Sequence, residues 1–176
     1  MARSRGTRRC KLIEEETVLE VDDVVDNVIA VGVDGSAGAE RAISWALDEA
    51  RVHGDKILLV HAWQFPAIGI TTYAGDTLPV FGRDDIKTLA ADVLATASTY
   101  AKGCDPGMQV DSVLVEGHPA GGLIEASSGA RLLVVGSRGL GGFKGMLMGS
   151  VSSSCVHHAR CPVVVVPART EPSRNK

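Results

Sequence analysis

Leu132-Leu133-Val134-Val135-Gly136-Ser137-Arg138-Gly139, then nine residues, then Gly149-Ser150: the fold of this chain is decided by this stretch. The apolar run Leu132 to Val135 suits a strand buried on both faces, as strands of parallel sheets are. Glycines follow it directly, and Ser150 opens a segment able to start a helix. A buried strand running into glycines and a helix start is a physical arrangement for holding phosphate. Glycine takes positive φ and puts no Cβ between backbone and ligand. Successive N–H groups in such a loop form an anion-binding concavity. The helix start adds unpaired N–H groups and a favourable dipole. An α/β fold and a nucleotide ligand are therefore proposed together.

Two familiar phosphate-binding templates do not fit. In a P-loop the last glycine is followed by Lys and a hydroxyl residue. Here Lys144 is followed by Gly145. The dinucleotide fingerprint, started at Gly139 and Gly141, requires glycine where Lys144 stands.

Around the loop, strand and helix patterns alternate from Val28 onward. Val28 to Val33 is a continuous apolar run, and Ala39, Ala42, Ile43, Ala46, Leu47 and Ala50 recur at helical spacing before Gly54. Ile57 to Trp63 predicts a second strand, and Gln64 to Gly82 a long surface loop. Ile86, Leu89, Ala90, Val93, Leu94, Ala97, Tyr100 and Ala101 trace a helical stripe ending at Gly103. Val110 to Val115 predicts a third strand with Val113 and Val115 on one face. A short helix follows from Ala120 to Ser127. The fourth strand is Leu132 to Val135, the last helix Ser150 to Ala159, and the fifth strand Val163 to Val166. Such alternation argues an open parallel sheet with helices on both faces, Rossmann-like, whose ligands sit beyond the carboxyl ends of the strands. No internal repeat is found, so a single module is expected.

The composition is that of a globular α/β protein, 45% apolar with few aromatics. The net charge of −3 gives no support to nucleic-acid binding. No apolar run approaches the roughly 18–20 residues of a membrane span, and no hydrophobic stretch follows the basic start. A cytoplasmic protein with reduced thiols is expected. Residues 1–26 pass from a basic block (Arg3, Arg5, Arg8, Arg9, Lys11) to an acidic one (Glu14, Glu15, Glu16, Glu20, Asp22, Asp23, Asp26) and are read as a disordered tail. The domain is expected at 27–168, with 169–176 as a second tail. Cys155, His157, His158 and Cys161 bring both zinc ligand types into one segment, but their spacing matches no standard structural zinc site. A helix end with packed thiols is the preferred reading.

Gly136, Gly139, Gly149 and Ser150 match G-2x-G-9x-G-[S/T], and the chain thereby resembles the ATP-binding universal stress proteins. The resemblance extends through Val28-Ile29-Ala30-Val31-Gly32-Val33-Asp34-Gly35-Ser36 and Leu58-Leu59-Val60-His61-Ala62-Trp63 to His158-Ala159-Arg160-Cys161-Pro162-Val163-Val164-Val165-Val166-Pro167. It covers about Val28 to Pro167. It implies a five-stranded sheet in the order 3-2-1-4-5, which would place the ends of the first and fourth strands at one crevice. It also implies ATP as cofactor, with Mg2+, and a homodimer formed through the strand from Cys161 to Pro167.

The candidate binding residues follow from both lines. Asp34 leaves the first strand; it is a turn or cap residue on its own chemistry, and by resemblance lies near the nucleotide and holds a metal through water. A carboxylate beside phosphates needs such a cation between them. Gly32 permits close approach of a ligand or serves strand packing, and Ser36 follows Asp34 in the same turn. Ala62 matches the position whose backbone meets adenine, with His61 and Trp63 beside it; core filling is the favoured role for Trp63. Gly117, ahead of His118 and Pro119, borders base or ribose by resemblance. Val135, Gly136, Ser137, Arg138, Gly139 and Gly142 make the loop. Arg138 has two readings, phosphate partner or solvated side chain, and Lys144 is a second loop cation. Gly149, Ser150 and Val151 open the last helix, where the Ser150 hydroxyl serves a phosphate and a cap alike.

The favoured function is a stress-response protein whose bound nucleotide sets its conformation or partner choice. A slow ATPase or nucleotidyl-transfer enzyme, and an interaction module without nucleotide, are the alternatives. No Ser/His/Asp or paired-acid arrangement is evident for catalysis.

Overall fold

A computed structural model describes residues 27–65, 82–141 and 148–168. The two tails, most of the long loop after Trp63, Gly142 and Lys144 lie outside the described residues. The elements run β1 (Val28–Gly32), α1 (Ala37–His53), β2 (Lys56–Trp63), α2 (Arg83–Cys104), β3 (Val110–Glu116), α3 (Pro119–Ala126), β4 (Leu132–Gly136), α4 (Ser150–His158) and β5 (Val163–Val166). All strand pairings are parallel, in the order β3-β2-β1-β4-β5.

Side chains of a strand point alternately to the two faces, so each central strand feeds two cores. Ile29 and Val31 of β1, with Leu132 and Val134 of β4, pack under Ala42, Ile43, Ala46 and Leu47 of α1 and Leu94, Ala97 and Ala101 of α2. Ala30 of β1, with Leu133 and Val135 of β4, packs under Leu123 of α3 and Cys155 of α4. Val113 and Val115 share this second face. Ile29, Ile57, Leu59 and Leu133 are wholly buried; burial of each such side chain stabilises by about 1.5–3 kcal/mol.

Element ends follow local chemistry. Gly54 stops α1 in the left-handed conformation, φ 73°, where its N–H reaches the carbonyl of Ala50. α2 passes through Gly103 by one residue, because the Asp105 N–H still bonds to the Ala101 carbonyl. Leu89, expected in the apolar stripe of α2, is exposed; the buried stripe narrows to Ala90, Leu94, Ala97 and Ala101. At the amino ends of the strands, buried Asp55 accepts hydrogen bonds from Arg131, which also reaches Glu49. That pairing holds the Arg131 guanidinium above its ordinary pKa.

Candidate functional site

β1 turns one way along the sheet to β2, and the chain later returns on its other side as β4, so the strand order reverses between β1 and β4. A crevice outside the carboxyl ends of these strands is where open α/β sheets hold ligands. The rim of this crevice is built from the β1–α1 turn and the β4–α4 loop.

In the first turn, Gly35 has φ 79°, a conformation that L side chains rarely adopt. This sharp bend lets Asp34 Oδ1 accept the N–H of Ser36 at 3.0 Å. Ser36 caps α1, its hydroxyl accepting the Ala39 N–H at 3.2 Å. The other carboxylate oxygen of Asp34 crosses to the second loop and accepts the Leu140 N–H at 3.0 Å. The cap of α1 is thus Ser36, and Asp34 ties the two loops.

The glycines of the second loop are crowded by the first. A Cβ on Gly136 would lie 2.9 Å from the backbone carbon and oxygen of Gly38. A Cβ on Gly38 would lie 2.5 Å from the Arg138 carbonyl oxygen, and one on Gly139 would lie 2.2 Å from Asp34 Oδ2. The start of α1 and the end of β4 therefore meet backbone to backbone. Gly38 was missed in the sequence; the small-residue run Ala37-Gly38-Ala39 at a helix start was the available signal. Gly32 is held by side chains instead: its Cβ would meet Leu123 and Val135 at 3.0–3.2 Å.

Ser137 is a junction. Its N–H donates to the Val166 carbonyl at 2.7 Å, its carbonyl accepts the Gly149 N–H at 2.7 Å, and its hydroxyl accepts the Ala168 N–H at 3.0 Å. The hydroxyl faces the end of β5. Ser152, also missed, donates from its hydroxyl to the Gly136 carbonyl at 2.6 Å and seats α4 on the strand end. It is hidden in the sequence among Ser150, Ser153 and Ser154, and only the fold tells which of these hydroxyls turns inward.

Gly149 differs from the crowded glycines. A Cβ there would have ordinary contacts, 3.6 Å to the Arg138 Cα and the Ser137 carbonyl oxygen. It is the N-cap of α4 and brings no side-chain cap. The first-turn amides at Ser150 and Val151 thus have no partner within the helix. Ser150 is exposed, whereas Val151 is half-buried and packs on the second core. Arg138 is half-buried, and its guanidinium makes no hydrogen bond among the described residues.

On the far side of β1, Ala62 sits at the end of β2 opposite Val115, and its methyl group lies against Gly122 of α3. Gly117 donates its N–H to the Trp63 carbonyl at 2.8 Å, and the space beside its Cα is open. Trp63 is buried, as core filling requires. His61 Nδ1 lies 2.7 Å from the Val33 carbonyl oxygen, so Nδ1 carries the proton and ties β2 to the end of β1.

The Cys/His segment divides across α4. Cys155 is buried, and burial first, then the charge of Cys161, pushes its thiol up to about 11. Burial raises Cys161 as well. His157 and His158 face outward. Among the described residues no three His, Cys, Asp or Glu side chains gather to hold a metal. Asp34 is the one carboxylate in the two loops, and both its oxygens already accept backbone N–H groups. One carboxylate does not by itself make a protein-built Mg2+ site; phosphate oxygens would have to complete it.

An open parallel sheet with a glycine loop, an uncapped helix start and a reversal of strand order between them defines a class of α/β ligand-binding proteins. The model of the universal stress protein family matches residues 27–167, and this chain belongs to that family. A universal stress protein of Mycobacterium tuberculosis is 36% identical over 137 residues, covering 78% of this chain and 44% of that one. One of Mycolicibacterium smegmatis is 37% identical over 145 residues, covering 80% of this chain and 46% of that one. The chain thus spans less than half the length of these curated relatives. Among solved structures, a universal stress protein in complex with cAMP aligns with TM-score 0.58 and 27% identity, over 80% of this chain and 95% of that one.

Proposed function

We propose that this chain binds an adenine nucleotide, ATP, and acts as a regulatory protein of the stress response whose bound nucleotide sets its conformation or its partner. The observation that carries this reading is the start of α4 at Gly149, without a cap among the described residues, beside the backbone of Ser137, Arg138 and Gly139. Free amides at a helix N-terminus favour an anion, and the absence of a Cβ at Gly149 leaves room for it. In this reading Ser150 and Val151 hold the terminal phosphates with their amides and the Ser150 hydroxyl. Arg138 neutralises charge, and the backbone of Ala62 meets the base edge. Gly32, Asp34, Ser36, Val135, Gly136, Ser137, Gly139 and Gly117 shape the walls, with Gly142 in the loop. Mg2+ enters as the counter-ion of the triphosphate. The unit that binds is taken as residues 27–168.

The cAMP complex of a relative supports an adenine ligand for this crevice. Mass spectrometry of ligand carried through purification, followed by titration calorimetry of the emptied protein, tests the reading. ATP or another adenine nucleotide is expected. A protein that carries none and shows no heat with ATP, ADP, AMP or cAMP refutes it.

The same proposal includes a homodimer through β5. Among the described residues this strand pairs with β4 alone, and its four valines are each half-buried. An apolar edge strand invites a further strand unless it is covered. A two-fold contact covers both copies at once. Changing Val164 and Val166 together to Lys is expected to yield monomers in sedimentation velocity; a variant that still sediments as a dimer places the contact elsewhere.

A further inference from the structure

We infer that Asp34 is a positioning residue, a latch that shapes the glycine loop before any nucleotide arrives, and that its contribution to nucleotide affinity does not require a divalent cation. This rests on the nucleotide-binding reading above, and one arm of its test does not.

Asp34 uses both oxygens on backbone. Oδ1 holds the Ser36 N–H and Oδ2 the Leu140 N–H, each at 3.0 Å, and the second bond joins parts of the chain 106 residues apart. Hydrogen bonds to a charged acceptor are about twice as strong as neutral ones. Gly139 closes against the same carboxylate, since a Cβ there would stand 2.2 Å from Oδ2. Only glycine lets the loop come this near. Leu140 has an exposed side chain, so the loop gains little from apolar packing at this point. The carboxylate supplies the hold that packing does not.

Each oxygen of Asp34 keeps a second lone pair, so a water-bridged cation leaves both N–H bonds in place. The hold on the Leu140 N–H, and with it on the loop that carries Ser137, Arg138 and Gly139, is made of hydrogen bonds alone and needs no cation. The N–H groups also disperse the negative charge of Asp34 beside the anion site.

The test has two arms on Asp34→Ala and Asp34→Asn. In the nucleotide-free protein, amide hydrogen exchange is read at Leu140, with the core amides of Ala30 and Val31 as the check on folding. Exchange at Leu140 is expected to rise about tenfold or more in Asp34→Ala, the scale of one lost hydrogen bond to a charged group, and less in Asp34→Asn. In the second arm, calorimetry with ATP is run in Mg2+ and in EDTA. Each variant is expected to bind ATP more weakly than the wild-type protein in EDTA as well as in Mg2+. Unchanged exchange at Leu140 overturns the latch. A variant that differs from wild type in Mg2+ but not in EDTA makes Asp34 a metal ligand and overturns the inference as well. Failure of the wild-type protein to bind ATP in either medium refutes the nucleotide reading, while the exchange arm still decides the latch.

Discussion

Gly136 and Gly149 stand in one sequence motif, yet they meet opposite surroundings. Gly136 is pressed against the backbone of Gly38 at a distance no Cβ tolerates, whereas Gly149 has ordinary contact distances on the protein side. Glycine at Gly136 is demanded by the folded backbone itself, and at Gly139 only as long as the Asp34 carboxylate keeps its place. At Gly149 the folded chain makes no such demand, since a Cβ would have ordinary contacts with Ser137, Arg138 and Gly139; in the proposed function its small size serves the ligand. A glycine motif can therefore be a composite, half packing requirement and half binding requirement, and side-chain volume tells the halves apart.

Substitution at these positions tests the division. The largest effect is expected for Gly136→Val, where the new side chain drives the end of β4 off α1. Overpacking of this kind costs about 3 kcal/mol, read as a lowered midpoint in urea denaturation. A midpoint equal to that of the wild-type protein would erase the distinction. Gly149→Val is expected to do the reverse. Its N-cap conformation, φ −77° and ψ 161°, is open to valine, so the loss of stability stays within about 1 kcal/mol. ATP affinity falls about a hundredfold, as when two hydrogen bonds to a charged group are lost. Unchanged affinity in calorimetry would move the phosphates away from α4. The smallest effect belongs to Ser152→Ala, which removes the hydroxyl from the Gly136 carbonyl and should cost about 1 kcal/mol in denaturation. It sharpens the division, because it loosens α4 from the crowded side without adding volume at the open one.

The elements themselves were legible because parallel strands and amphipathic helices announce their burial. Leu132 to Val135 could hardly be anything but a buried strand, Val163 to Val166 read as a strand that the structure leaves half-buried at the edge, and Gly54 marked its helix end. The strand order was not legible from these patterns, since nothing in one strand names its neighbour; resemblance to a family supplied it. At the site, Asp34 and the motif glycines were visible by their types and spacing, but their neighbours were not. Gly38 and Ser152 make contacts with β4 and the loop after it, and such contacts exist only once the sheet is assembled. Leu89 shows the same limit from the other side: its spacing fits the apolar stripe of α2, yet it falls outside the buried stripe of Ala90, Leu94, Ala97 and Ala101.

Ser137 has a consequence for how this rim moves. Through three of its own atoms it is bonded to the end of β5 at Val166, to Ala168 two residues beyond it, and to Gly149, the N-cap of α4. A joint with three fixed arms has no slack. Displacement of the helix start is transmitted to the outer strand of the sheet within a single residue, at the stiffness of hydrogen-bonded backbone. The rim of the crevice and the edge of the sheet are mechanically one piece.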